Sequence, residues 1–259
     1  MSATSNYSAG TIAIYKHALT RFWAITGDRW LGAITPKQID EFKTARLKDL
    51  SPVTLNIELR TLRAAFYTAV RWKLLADNPF KGVRLLRIPE QSPVFLTKEE
   101  FQQLMSVTPE RWFRELITVA VSTGLRRGEL LSLTWKDIDF QRNIIQIQSK
   151  DNFHTKTGKK RIVPMNKDVA AILIKKRQSS TTESVFSLNG ARLLESSVTH
   201  KFKVYVRKAG IDPRLHFHSL RHTFASWLVQ DGVSLYEVQK LLGHSNTMVT
   251  QIYSHLQSE

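Results

Sequence analysis

An aperiodic segment with two prolines divides this chain into two parts that follow different folding patterns. The segment runs from Leu85 to Pro93 and carries mixed charge. Prolines in a stretch without apolar periodicity favour a linker over a helix or strand. Before the segment, apolar residues recur at helical spacing, so the first part is predicted to be all helical. The expected organisation has three segments: a helical domain over 1–88, a linker over 89–93 and a second domain over 94–259.

The second part adds a strand pattern to a mostly helical one. Asn143 to Gln148 alternate between polar and isoleucine-rich positions, as a half-buried strand requires. Arg161 to Pro164 predict a returning strand after a turn at Lys156–Lys159, which gives a basic β-hairpin. The remaining segments read as capped helices, the last from about Ser245 to Tyr253. The expected fold class is mainly α with a small β-hairpin or sheet: an all-helical N-terminal domain, then a mixed α+β domain.

Charge and cysteine content limit the classes of function. The chain has 38 lysines and arginines against 22 acidic residues, a net charge of +16, and no cysteine. A basic excess spread over both parts is typical of nucleic-acid binding, and the lack of cysteine excludes disulfides, thiol catalysis and cysteine-based zinc sites. No apolar run approaches the ~20 residues of a membrane helix. The N-terminus lacks a secretory pattern, so a cytoplasmic protein without membrane association is expected.

Several ionisable residues could together surround one phosphate. Arg126 and Glu129 are three positions apart, as are His218 and Arg221, so each pair shares a helix face. Two arginines could bind phosphate oxygens through planar forks and stabilise charge in a transition state. Histidines such as His218 and His244 exchange protons near neutral pH. Taken singly, each of these residues has an ordinary reading as a surface or partly buried polar group.

Tyr253 and the hairpin lysines are the remaining candidates for chemistry. A phenol has a pKa near 10 and attacks only with help, which flanking cations provide by lowering that pKa. Most tyrosines only pack, and a basic turn is often just solvated. Lysine also suits protonation of a leaving alkoxide. The candidate lysines are Lys156 and, since hairpin register is easily misjudged, Lys150, Lys159 and Lys160.

The order of the short motifs is more specific than any one of them. The series is Thr-Gly-Leu-Arg-x-x-Glu-Leu, Thr-Lys-Thr-Gly, Val-Pro, His-x-Leu-Arg-His-Thr-Phe-Ala, Leu-Gly-His-Ser and Tyr. From Leu96 to Tyr253 this series closely resembles the tyrosine recombinase (phage integrase) family. The helical first part is more loosely similar to the core-binding domain of that family. The resemblance implies a site-specific recombinase that cleaves and rejoins DNA through a 3′-phosphotyrosyl link, without metal, ATP or another cofactor.

The resemblance also implies a role for each site residue. Tyr253 is expected to be the nucleophile, Lys156 the general acid for the 5′ oxygen, and His218 the histidine that handles the tyrosine proton. The remaining expected residues are the phosphate-binding Arg126 and Arg221, the phosphate hydrogen-bond donor His244, and Glu129 as support for the first arginine. The implied partners are double-stranded DNA with a specific site and further copies in a tetramer on paired sites, acting through a Holliday junction.

Two further features of the sequence affect the comparison with the family. Six residues follow Tyr253, so a long tail that docks on a neighbouring subunit is not expected. An arm-binding domain before the first helical segment is not expected, and the chain resembles an Xer-type or minimal integrase more than a phage integrase with accessory sites.

Three other functions remain compatible with parts of the pattern. A type IB topoisomerase-like enzyme shares the tyrosine chemistry and relaxes supercoils as a monomer. A DNA-binding protein without catalysis could retain the fold, although it would not need Tyr253. A metal-dependent nuclease could use the histidines between His216 and His222, but His222 itself, beside Arg221, is interpreted here as a structural residue.

Overall fold

The computed structural model describes residues 7–89, 92–150, 160–244 and 248–256. Capped helices begin where the sequence carries helix start signals. The chain divides into two compact units, Met1–Gln91 and Ser92–Glu259. The expected fold class is confirmed: helices predominate, and the described strands form small antiparallel sheets in the second unit. None of the helices in the described ranges combines the length and apolar character that a membrane crossing needs.

The described part of the first unit contains three α-helices around an aromatic core. These are α1 (Ala9–Thr26), α2 (Pro36–Leu47) and α3 (Pro52–Arg71), with a 3₁₀ turn at Leu31–Ala33 between the first two. A proline opens both α2 and α3, where its missing N–H costs no helical hydrogen bond. Phe22 packs against Phe42, Phe66 and Phe80 with ring centroids 5.3–6.0 Å apart, and these four rings are buried.

The second unit is built mainly from eight described α-helices. They are α4 (Lys98–Ser106), α5 (Arg111–Thr123), α6 (Arg127–Leu131), α7 (Lys167–Ser179), α8 (Glu195–Ala209), α9 (Ser219–Gln230), α10 (Leu235–Leu242) and α11 (Met248–Gln251). The buried apolar helix α5 packs against α7 and α9 and so lies near the centre of the unit. The last helix was expected to reach Tyr253 but ends at Gln251, and a 3₁₀ turn at Ser254–Leu256 follows the tyrosine.

The described strands of the second unit form two separate sheets. Strands β1 (Ile138–Asp139), β2 (Ile144–Ile147) and β3 (Arg161–Pro164) form an antiparallel sheet in that order, and β4 (Ser187–Leu188) pairs with β5 (Ala191–Arg192). In the hairpin, Ile145 pairs with Val163, and both side chains are buried. The expected turn at Lys156–Lys159, including Lys156 itself, lies outside the described residues.

Candidate active site

A buried glutamate holds the first candidate arginine. The turn after α5 leads into α6, and this places Arg126 directly before the helix and Glu129 within it. The backbone N–H of Arg126 donates to Oε2 of Glu129 at 2.8 Å, and its Nη1 donates to Oε1 at 2.9 Å. Glu129 is buried, whereas 23% of the Arg126 side chain remains exposed. The contact expected from the spacing is therefore present, and it leaves part of the Arg126 side chain exposed.

Arg161, at the start of β3, is the second cation on this glutamate. Its Nη1 and Nη2 donate to the two carboxylate oxygens of Glu129 at 2.9 and 2.5 Å, and its Nε donates to the carbonyl oxygen of Leu241 at 3.0 Å. Sequence reasoning treated Arg161 only as part of a basic hairpin. One available signal was Glu129 itself, because a carboxylate beside two leucines that become buried requires strong cationic partners.

The two arginines keep Glu129 ionised. Burial by itself raises the pKa of this carboxyl group, but the hydrogen bonds and charge of Arg161, together with those of Arg126, outweigh burial and lower the pKa to about 2. Glu129 is therefore a fixed negative charge at neutral pH. It orients two guanidinium groups that come from the start of α6 and from the hairpin.

Backbone carbonyls anchor the second candidate arginine. Arg221 projects from α9 and is 3% exposed. Its Nη1 donates to the carbonyl of Gly124 at 2.6 Å and its Nη2 to that of Leu242 at 2.5 Å. Each of these amino groups carries a second N–H, so the anchored guanidinium retains donors for a ligand. Burial and the charge of Arg126 lower the pKa of Arg221 to about 9, which leaves it protonated at neutral pH.

Tyr253 is buried next to these groups. Only 2% of its surface is exposed, and burial raises its pKa to about 12, although the charge of Arg221 acts in the opposite direction. The side chain packs in a small cluster with α9 and α10 that includes Phe224, Val238 and Leu242. In this state Tyr253 is a neutral phenol close enough to Arg221 to interact with its charge.

The hydroxyl of Tyr253 contacts His222, which the sequence analysis interpreted as structural. The distance from Nδ1 of His222 to Oη of Tyr253 is 2.5 Å. His218, expected to handle the tyrosine proton, lies with its ring edge-on to that of His222 at a centroid distance of 5.3 Å. Burial is the main factor that lowers the pKa of both histidines to about 4, and nearby histidines and Arg221 add to it. Both rings are thus neutral near pH 7.

His244 follows α10 and faces the same group of cations. Its Nδ1 lies 3.0 Å from Oγ1 of the buried Thr250, a contact that connects α10 to α11. Burial, followed by the charges of Arg221 and Arg126, lowers the pKa of His244 to about 4. His244 also borders a cleft of about 210 Å³, together with Arg161 and Lys160. The imidazole is therefore held in place and partly accessible from this cleft.

The described hairpin lysines lie in two different environments. Nζ of Lys150 donates to the carbonyl of Ser132 at 3.1 Å and forms an ion pair with the buried Asp137. Lys160 is exposed beside the His244 cleft. These contacts give Lys150 a structural role and leave Lys160 available to a ligand. Within the described ranges, histidine, aspartate and glutamate form no group of three or more that could hold a metal ion.

Comparison with known proteins adds independent information. The profile of the phage integrase family matches residues 94–259. Tyrosine recombinase XerC of Bacillus pumilus is 30% identical over 98% of this chain and 88% of its own length, and tyrosine recombinase XerD of Proteus mirabilis is 30% identical over 97% and 84%. A lambda integrase tetramer bound to a Holliday junction has the same fold, with a TM-score of 0.80, 22% identity, and coverage of 95% of this chain and 74% of the other.

Proposed function

Because the chain belongs to the phage integrase family and is a tyrosine-type site-specific recombinase, we propose that it cleaves and rejoins double-stranded DNA through a 3′-phosphotyrosyl intermediate at Tyr253. One observation carries this proposal. A buried phenol interacts with Arg221, a buried guanidinium that has no carboxylate partner among the described ion pairs. A phosphodiester is the ligand that both groups would use, the first as nucleophile and the second as charge stabiliser.

The other residues fit the steps of phosphoryl transfer. Arg126 and Arg221 bind the non-bridging oxygens and stabilise the charge that grows on them in the transition state. Glu129 fixes the position of Arg126. His218 takes part in the transfer of the tyrosine proton, and His244 donates a hydrogen bond to the phosphate. Lys156 is the proposed general acid for the 5′ oxygen. The energy of the broken phosphodiester bond stays in the protein–DNA bond, so rejoining requires no ATP.

The basic charge of the whole chain supports a duplex as the substrate. Residues 1–88 are proposed to be the core-binding domain, and residues 94–259 the catalytic domain. Phosphate contacts from both would give most of the affinity and a steep dependence on salt, while a few base contacts would select the site. Assembly as a tetramer on two paired sites, through a Holliday junction, is supported by the lambda integrase tetramer of the same fold.

A covalent-capture experiment on randomised DNA tests this proposal and identifies the cognate site at the same time. The protein is incubated with a pool of nicked duplexes of randomised sequence, which trap the cleaved strand because the short 5′-hydroxyl fragment diffuses away. Adducts that survive denaturation are recovered and sequenced, and the linked peptide is mapped. We expect a 3′-phosphate on Tyr253, formed in the presence of a metal chelator and absent in Tyr253→Phe.

The same preparation separates the alternative functions. A type IB topoisomerase-like enzyme would relax supercoiled DNA that lacks the recovered site, whereas a recombinase acts only on plasmids that carry it. Cleavage that stops when the chelator is added, or an adduct that persists in Tyr253→Phe, would contradict the proposed chemistry.

A further inference from the structure

The hydroxyl of Tyr253 is held by a histidine that has no part in the chemistry described so far. Nδ1 of His222 lies 2.5 Å from Oη, on a side chain that is half-buried in α9. Tyr253 keeps its proton at neutral pH, because burial raises the pKa of the phenol to about 12. The imidazole is neutral as well, since burial, His216 and Arg221 lower its pKa to about 4. A neutral phenol next to a neutral imidazole forms a donor–acceptor pair with the ring nitrogen as acceptor.

We propose that His222 is the catalytic base of this site and that its Nδ1 receives the phenolic proton as Oη of Tyr253 attacks the phosphorus. The inference rests on the proposed function and deepens it. His222 qualifies on geometry, because a general base must lie within hydrogen-bond reach of the proton that it removes. His218 contacts the ring of His222 and so acts on Tyr253 through its neighbour.

The proton and the bonds balance in both directions. In cleavage, the O–H bond of Tyr253 breaks and its proton passes to Nδ1 of His222. A bond forms between Oη and phosphorus, the bond from phosphorus to the 5′ oxygen breaks, and that oxygen leaves as a hydroxyl after protonation by the general acid. In rejoining, the deprotonated general acid takes the proton of the 5′-hydroxyl as that oxygen bonds to phosphorus. The bond from phosphorus to Oη breaks, and the imidazolium of His222 returns its proton to Oη.

The groups that face His222 explain why the free protein does not activate its tyrosine. Arg221 precedes it in α9, His218 and His216 stand at and before the start of that helix, and Tyr253 approaches from the segment after α11. These groups are cationic or neutral, so they disfavour an imidazolium. A phosphodiester bound to the arginines brings negative charge, which favours the protonated ring. Bound DNA therefore makes His222 a stronger base toward the proton of Tyr253.

The matched variants His222→Asn and His222→Ala test the proposal. The asparagine oxygen replaces Nδ1 as a hydrogen-bond acceptor but cannot take up the proton, whereas alanine removes both abilities. Single-turnover adduct formation on a recovered nicked site is measured from about pH 6 to about pH 9. We expect both variants to lose about 10²–10⁴-fold in rate at neutral pH with DNA binding intact. The deficit should shrink as pH rises, because hydroxide then removes the phenolic proton.

His200→Asn is the control, since His200 is an exposed histidine of α8, and it should react like the wild type. A His222→Asn rate and pH profile equal to those of the wild type would overturn the proposal and reduce His222 to a hydrogen-bond acceptor that positions the tyrosine. If the wild type forms no adduct, or Tyr253→Phe still forms one, the proposed function itself fails. If the wild type reacts at Tyr253 and the His222 variants form the adduct at the same rate, only the assignment of the base fails.

A measurement on the wild type covers the case in which the variants do not fold. Nitrogen NMR of protein labelled at histidine reports which ring nitrogen carries the proton. We expect His222 to carry it on Nε2, and we expect the Nδ1 signal to shift in Tyr253→Phe. A proton resident on Nδ1 of His222 in the free protein would contradict the assignment.

Discussion

Each unit of the protein contains a buried glutamate held by an arginine through two hydrogen bonds, and the two pairs serve different ends. In the first unit, Nε and Nη2 of Arg46 donate to the two oxygens of Glu58 at 2.9 and 2.5 Å. In the second, Nη1 and Nη2 of Arg161 donate to those of Glu129 at 2.9 and 2.5 Å. The chemistry is nearly the same, so the pair alone does not distinguish a structural contact from a functional one.

The difference lies in the other side chain that each glutamate contacts. Glu58 also faces Nε2 of the exposed His17 at 3.5 Å, and its pair with Arg46 connects α3 to the end of α2. Glu129 also holds Arg126, whose side chain remains partly exposed and whose charge acts on Arg221, His218 and His244. A buried carboxylate supports a functional site when it orients an arginine whose accessible face lies among further groups that can bind a phosphate.

The largest expected effect follows from removing the accessible guanidinium of Arg126. Arg126→Ala should lower the single-turnover rate of adduct formation by at least about 10³-fold, because a charge-stabilising donor for the transition state is lost. The free energy of unfolding should fall by no more than ~1–2 kcal/mol, since Arg161 still neutralises Glu129. Arg126→Lys is the matched control: it keeps the charge but loses the planar fork, so an intermediate rate is expected. Wild-type kinetics in Arg126→Ala would remove this residue from the site.

Arg161→Ala should lower both the stability and the cleavage rate, so it combines the effects expected for a structural pair and for a functional pair. Glu129 would lose its bidentate partner, at a cost of about 3 kcal/mol in the free energy of unfolding. Arg126 and the Leu241 segment would lose their common support, so we expect a rate about 10- to 100-fold lower. Urea denaturation and single-turnover kinetics on the folded fraction separate these effects. An unchanged rate would place Arg161 in the same structural class as Arg46.

Arg46→Ala should affect stability alone. Leaving Glu58 buried without its arginine is expected to cost ~3–5 kcal/mol of unfolding free energy. The cleavage rate per folded molecule should stay that of the wild type. Replacing both partners with apolar residues, Arg46→Met with Glu58→Leu, should restore most of the stability, because the desolvated charge is then gone. A rate defect in this double variant would show that the first pair is not purely structural.

The last expected effect is a pH dependence of the stability of the second unit. The pKa values of His218, His222 and His244 are about 4 in the folded protein and near 6.5 when unfolded. The unfolded chain therefore binds more protons, and stability falls as pH drops from about 6.5 to about 4. Chemical denaturation across this range, without DNA, should show a slope that His222→Asn reduces by about one proton. An unchanged slope would mean that His222 is protonated in the folded state.

Local signals in the sequence located much of the fold. The capping boxes at Thr97 and Ser234 mark helix starts that the structure confirms, because capping depends on residues three positions apart. The two-residue strands β1, β4 and β5 are too short to show an apolar period. The predicted end of α11 was wrong, since Tyr253 joins a tertiary cluster and no local signal fixes where the helix stops.

The parts of the candidate site that sequence reasoning missed depend on long-range contacts. Arg161 meets Glu129 across 32 positions, and His222 meets Tyr253 across 31. No spacing rule reaches that far, so a basic hairpin residue and a histidine beside Arg221 offered no reason to be singled out. The Arg126–Glu129 contact could be predicted because it lies within a single helical turn.

The anchoring of Arg221 on two carbonyls has a genetic consequence. Gly124 ends α5 and Leu242 is the last residue of α10, so two helix C-termini, each worth about half a negative charge, together act as the counter-ion. A counter-ion made of backbone cannot be deleted by exchanging a side chain. Substitution is restricted mainly at Gly124, because its φ is +60° and an added Cβ would overlap Cδ1 of Phe224. Among related sequences, the counter-ion of Arg221 should therefore be recognised by a conserved glycine at position 124 and not by a conserved acidic residue.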